Sequence, residues 1–86
     1  MGASTVQRQV ILGVDSHKDL NVAVALDGQG QLLGAASVAT TPAGHSNLLD
    51  WAKEFGTLTK VGIEGTGSFG AGLSRFLRSA GVVIWS

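Results

Sequence analysis

Apolar residues fall along this chain in short, bounded runs, and their lengths and punctuation predict seven elements. Val10-Ile11-Leu12-Gly13-Val14 is rich in β-branched residues and halts at Asp15 and Ser16. A run of that size suits a strand buried on both faces. Val22-Ala23-Val24-Ala25-Leu26 and Leu32-Leu33-Gly34-Ala35-Ala36-Ser37-Val38 follow, separated by Asp27-Gly28-Gln29-Gly30. Two runs joined by four residues that begin Asp-Gly predict a hairpin, because glycine supplies the positive φ of a tight turn. The connection 16–21 is short enough to bring the first run into the same antiparallel meander.

The period changes after Thr40. Thr41 suits an N-cap and Pro42 the first helical position. Leu48, Trp51, Ala52 and Phe55 recur at spacings of three and four, with Asp50, Lys53 and Glu54 on the other side. They predict an amphipathic helix of about four turns that stops near Gly56. Val61-Gly62-Ile63, closed by Glu64, reads as a fourth strand. Ser68 is placed to cap a second helix whose apolar face holds Phe69, Leu73, Phe76, Leu77 and Ala80, with Gly81 at its end. Val82-Val83-Ile84-Trp85 is the last strand, and Trp51 and Trp85 both fall at core positions. The order β-β-β-α-β-α-β predicts an α/β fold, a mixed sheet with helices packed on it. Residues 1–8 are polar and read as a flexible tail before a folded part over 9–86. Ending on an apolar strand is what a domain truncated after its fifth strand would do.

Composition narrows the function. Eighty-six residues suit one domain, since domains run from about 50 to 250 residues. Only 14% of residues are charged, against a usual share of about 25%. That deficit predicts apolar surface left for a partner, and self-association into a homo-oligomer. Six Lys and Arg balance six Asp and Glu, which excludes a module that holds nucleic acid by bulk charge. The chain has no Cys, so disulfide scaffolds, thiolate metal sites and thiol catalysis are excluded. No secretory signal and no apolar run near the roughly 20 residues of a membrane span are present, so a cytoplasmic protein without a membrane partner is expected.

The chemistry concentrates at two carboxylates that end strands, Asp15 in Gly13-Val14-Asp15-Ser16-His17 and Glu64 in Gly62-Ile63-Glu64-Gly65-Thr66-Gly67. If the first and fourth strands are parallel neighbours, their chains lie ~4.8 Å apart, and both acids sit at the carboxyl end of the sheet, where open sheets bind ligands. Two close carboxylates repel, and a divalent cation removes that penalty. Oxygen-only ligands favour Mg²⁺ or Mn²⁺, the ions that drive phosphodiester chemistry. The plainer alternative is that each acid merely forms a turn. Gly65-Thr66-Gly67-Ser68-Phe69-Gly70 fits a dinucleotide fingerprint, but no acidic residue follows Glu64 to hold a ribose. Backbone N–H groups there still suit a phosphate oxygen. His17 and Lys18, with Thr66 and Ser68, are the further candidates for nucleic-acid contact. His45 reads as structural or exposed.

The stretches Gly13-Val14-Asp15-Ser16-His17-Lys18, Asp27-Gly28-Gln29-Gly30 and Thr40-Thr41-Pro42-Ala43-Gly44, and above all Gly62 to Gly70, resemble the amino-terminal part of the DEDD transposases of bacterial insertion sequences. These are related to the Piv DNA invertase. The resemblance covers residues 9–86. It implies a RuvC-like domain of the ribonuclease H-like fold that cleaves and joins DNA strands with divalent metal. It also implies that Asp15 and Glu64 are the first two catalytic acids and metal ligands. Two further aspartates and a carboxy-terminal domain with a serine would follow in the family, so the chain is expected to be an amino-terminal fragment, inactive alone. Family members are guided by a structured RNA, which implies DNA and a guide RNA as partners of the full-length protein.

Two rival readings remain open. Sugar-kinase and actin-like ATPases share a first-strand aspartate before a phosphate-binding hairpin. Here Ser16-His17-Lys18 replaces the Gly and Thr expected to approach a nucleotide. A non-catalytic interaction domain is the other.

Overall fold

The computed structural model describes residues 8–65 and 69–85. Strands β1 (Gln9–Ser16), β2 (Leu20–Leu26) and β3 (Leu32–Ala39) precede helix α1 (Pro42–Lys53), and β4 (Thr57–Gly65), α2 (Ala71–Ser79) and β5 (Val83–Trp85) complete the order. One five-stranded sheet runs β3-β2-β1-β4-β5. The β1–β2 and β2–β3 pairs are antiparallel, while β4 lies parallel to β1 and β5 parallel to β4. This mixed α/β sheet matches a ribonuclease H-like arrangement, and it puts β1 and β4 side by side at the centre.

Local chemistry explains the elements. Asp27 closes the hairpin by accepting from the Gln29 and Gln31 N–H groups through Oδ1, both at 2.9 Å, and Gly30 takes φ +84°. Thr41, extended at φ −142°, caps α1 by accepting from the Gly44 N–H at 3.0 Å, with Pro42 following it. Gly56, at φ +152°, lies against the Arg8 carbonyl, where a Cβ would collide.

Both helices pack on one face of the sheet. Val10, Leu12, Val14, Ala23, Ala25, Val61 and Ile63 point there and meet Leu48, Leu49 and Ala52 of α1 and Leu73 and Leu77 of α2. Burying one such leucine contributes about 1.5–3 kcal/mol. Among the described residues nothing covers the other face. Ile11, Gly13, Val22, Val24, Leu26, Gly62 and Trp85 line a trough of about 570 Å³ there.

Several expectations need correction. The first strand is covered on one face and not on both, because α1 and α2 share a side; β1 alternates buried Val10, Leu12 and Val14 with Ile11 and Gly13 on the open side. Trp85 falls on the open face, 47% exposed, and not in the core. α2 starts at Ala71 with Gly70 as its N-cap and no side-chain cap bond. Phe69 precedes the helix and Ala80 follows it, both exposed, so the apolar face reduces to Leu73, Phe76 and Leu77. Ser68, expected to cap, and Thr66 lie outside the described residues, as does the expected tail apart from Arg8. No helix among the described residues is long and apolar enough to cross a membrane.

Candidate active site

Asp15 and Glu64 are paired residues in the parallel β1–β4 ladder, which begins Gln9↔Thr57 and ends Ser16↔Gly65. Partners in register project from the same face of a sheet. Their neighbours fix which face: Val14, Ser16 and Ile63 are buried beneath the helices, so Asp15 and Glu64 stand on the open side. Both line the end of the uncovered trough.

An irregularity makes this register. Val10 pairs with Leu58 but Ile11 with Lys60, so Thr59 is an extra residue in β4. Its hydroxyl donates to the Val10 carbonyl at 3.3 Å and accepts from Gln9 Nε2 at 3.1 Å. A one-residue slip exchanges the two faces of a strand. Without the bulge Ile63 would face Asp15, and Glu64 would turn toward the helices. Sequence reading missed Thr59, and a Thr in a Leu-Thr-Lys-Val stretch carries no signal of it.

Beneath the acids sits a buried polar pair. Ser16 Oγ donates to Asn21 Oδ1 at 2.6 Å, and both residues are fully buried. Among the described residues Asn21 Nδ2 has no partner, nor has His45 Nε2. His45 lies in the first turn of α1, its ring tilted against Phe76 at 6.0 Å, and burial holds its pKa below the ordinary value of 6.5. It is buried, which removes the exposed alternative of the sequence reading. The Ser16–Asn21 pair was legible in principle, since period two along Val14-Asp15-Ser16 turns Ser16 to the face opposite Asp15.

The turn after β1 brings a third group to the acids. His17 Nε2 lies 3.2 Å from Asp15 Oδ2, with both side chains more than half exposed. The turn is fixed by the His17 N–H donating to the Leu20 carbonyl at 2.8 Å and by Thr40 Oγ1 donating to the His17 carbonyl at 3.0 Å. Lys18 is exposed on the same turn and makes no ion pair among the described residues. Neither Asp15 nor Glu64 is paired with Lys or Arg among those residues. No three His, Asp or Glu side chains among them stand close enough together to hold a metal ion. The structure therefore joins Asp15 with Glu64 in register and Asp15 with His17 in contact, as two overlapping pairs.

A family model described as a transposase, for DEDD-type enzymes, matches residues 12–85, a span that includes both acids. No curated protein matches the chain. A match over so much of the sequence, on a sheet of this topology with its acids at the carboxyl ends of β1 and β4, assigns the family: the chain belongs to the DEDD transposases, enzymes of DNA transposition.

Proposed function

We propose that this chain is the amino-terminal part of a transposase whose RuvC-like domain cuts and rejoins DNA strands, with Asp15 and Glu64 as catalytic carboxylates. The observation that carries the reading is their register: two acids opposite one another on parallel central strands, facing one open trough. Both are hard oxygen donors free of Lys or Arg among the described residues, which fits Mg²⁺ or Mn²⁺. A divalent cation bound there would supply charge stabilisation to the phosphodiester oxygens.

The chain's own residues supply the rest. β1 and β4 hold the acids on the most enclosed strands of the sheet, so neither carboxylate depends on a loop for its position. Lys18, on the exposed turn beside them, is positioned to meet a DNA phosphate, and its charge would favour binding at low salt. Two acids are half of a four-acid set, and no Asp or Glu follows Glu64. Alone, the chain would bind DNA weakly and not cleave it. Recognition of a guide RNA would belong to the longer protein.

In that longer protein, Asp15→Asn and Glu64→Gln should each abolish strand cleavage while shifting the unfolding midpoint little, because both side chains are exposed. Cleavage at the wild-type rate by either variant refutes the assignment.

A further inference from the structure

We propose that the open face of the sheet docks a second copy of this chain, face to face, with the strands of the two copies antiparallel and the twofold axis crossing them at the Gly13–Gly62 row. Lys60 of each copy then lies over Glu64 of the other. The inference goes beyond the transposase reading and stands independently of it.

Exposed apolar surface is gathered on that face. Of the seven large hydrophobic residues exposed among those described, six belong to it: Leu20, Val22, Val24, Leu32, Val83 and Trp85. Period two along β2 and β5 turns five of them away from the helices, and Leu32 joins them through its pairing with Leu26. Apolar residues scattered singly need no explanation, but a contiguous patch marks a site of association. Five strands at about 4.8 Å spacing, the longer ones extending about 20 Å, give a footprint of roughly 24 by 20 Å. Two copies meeting over it would bury on the order of 1,000 Å², the lower limit of a specific interface. The dimer is therefore weak, with a dissociation constant of about 10–100 µM.

Charge selects the partner and its orientation. Within the five strands the charged residues are Asp15, Lys60 and Glu64, so the face offers no basic stripe to a polyanion. Lys60, Gly62 and Glu64 follow one another along β4 on this face, in register with Ile11, Gly13 and Asp15 of β1. Charge thus runs positive, neutral, negative about Gly62. A twofold axis across the strands at Gly62 reverses that order in the second copy and sets each Lys60 over a Glu64, a self-complementary contact that closes at two copies. An axis along the strands would instead set Lys60 over Lys60 and Glu64 over Glu64, which costs affinity. Sheets packed face to face stand about 10 Å apart, a gap that the long lysine and glutamate side chains bridge. Lys60 Nζ stands 6.0 Å from the Trp85 ring centroid and makes no ion pair among the described residues. Asp15, opposite Ile11 of the other copy, keeps its own His17 at 3.2 Å. Because the contact covers Asp15 and Glu64, the dimer and a DNA complex at those acids would exclude one another.

The experiment is sedimentation velocity of the chain from about 5 to 500 µM, a range that brackets that affinity. The wild type should pass from monomer to dimer, and raising NaCl from about 50 to 500 mM should weaken the dimer by screening the ion pairs. Val24→Lys, in the middle of the face, and Lys60→Glu should each weaken it at least about tenfold. Thermal unfolding of the dilute chain should change little in either variant, since both side chains are exposed. The paired exchange of Lys60→Glu with Glu64→Lys reverses the pattern while keeping the match, and should restore the wild-type constant within about threefold. A chain that stays monomeric, or that associates beyond a dimer, overturns the inference. A dimer indifferent to Val24→Lys uses another surface and overturns it too. A dimer tightened by salt, or left weak by the paired exchange, overturns the matching of Lys60 with Glu64. Should Val24→Lys fail to fold, Lys60→Glu and the paired exchange decide alone.

Discussion

Replacing Gly65 by alanine tests whether the β1–β4 pairing holds the two acids together. A Cβ at Gly65 would lie 2.4 Å from the Ser16 carbonyl oxygen and 3.2 Å from the Ser16 Cβ. The first contact is with backbone, so no side chain can rotate away. To reach ordinary contact the strands must part by about 1 Å, directly beside the Asp15–Glu64 pair. Overpacking of this kind costs about 2–3 kcal/mol, a large share of the roughly 4–13 kcal/mol expected for a chain of this length. At about 4–8 °C per kcal/mol the unfolding midpoint should fall by roughly 10–20 °C. Gly13→Ala is the control, on the same ladder three rungs away: its Cβ would meet only Val24 Cγ2, at 3.5 Å, on the open face. Removing a strand glycine there should be neutral or stabilise by about 0.5 kcal/mol. Urea unfolding followed by circular dichroism measures both variants against the wild type. Equal stability of Gly65→Ala and Gly13→Ala would refute the claim that close backbone approach sets the site.

Two further outcomes concern helix α1. Because burial lowers the His45 pKa in the folded chain, the unfolded chain binds more protons below pH 6.5. Stability should therefore be fully present above that value and decline as pH falls toward the lowered folded pKa. Urea midpoints at pH 7.5 and 5.5 check this, and His45→Phe should reduce the difference; an unaltered difference would exonerate His45. Thr41→Ala removes the acceptor for the Gly44 N–H and should cost about 1 kcal/mol, seen as a fall of about 4–8 °C in Tm.

Much of the fold was legible because the signals were local. Asp27 and Gly30 announce the hairpin, Thr41 and Pro42 the start of α1, and the Val61-Gly62-Ile63 run the strand that meets β1. What escaped depends on contacts distant in sequence. Ile11, Gly13 and Trp85 are as apolar as core residues, so composition alone does not say that the helices cover only the opposite side. The start of α2 was misplaced because Ser68 is a better cap by type than Gly70, and the glycine won on backbone room: a Cβ there would lie 2.9 Å from Ile63 Cγ2. At the candidate site both acids were identified from strand-ending position, and their same-face register required the Thr59 bulge, which no residue type betrays.

That bulge separates two roles. Strand pairing fixes Asp15 and Glu64, and it is supported by the buried layer from Val10 to Val14 and from Val61 to Ile63. A change in that layer alters stability and the acid pair together. His17 is held differently, by a turn whose ties run to Leu20 and Thr40. Loops accept substitution at little cost to the core, so the turn can change the residue beside Asp15 without disturbing the strand register. Within one sheet, then, the carboxylate pair is tied to folding, and the His17 contact beside it is free to vary.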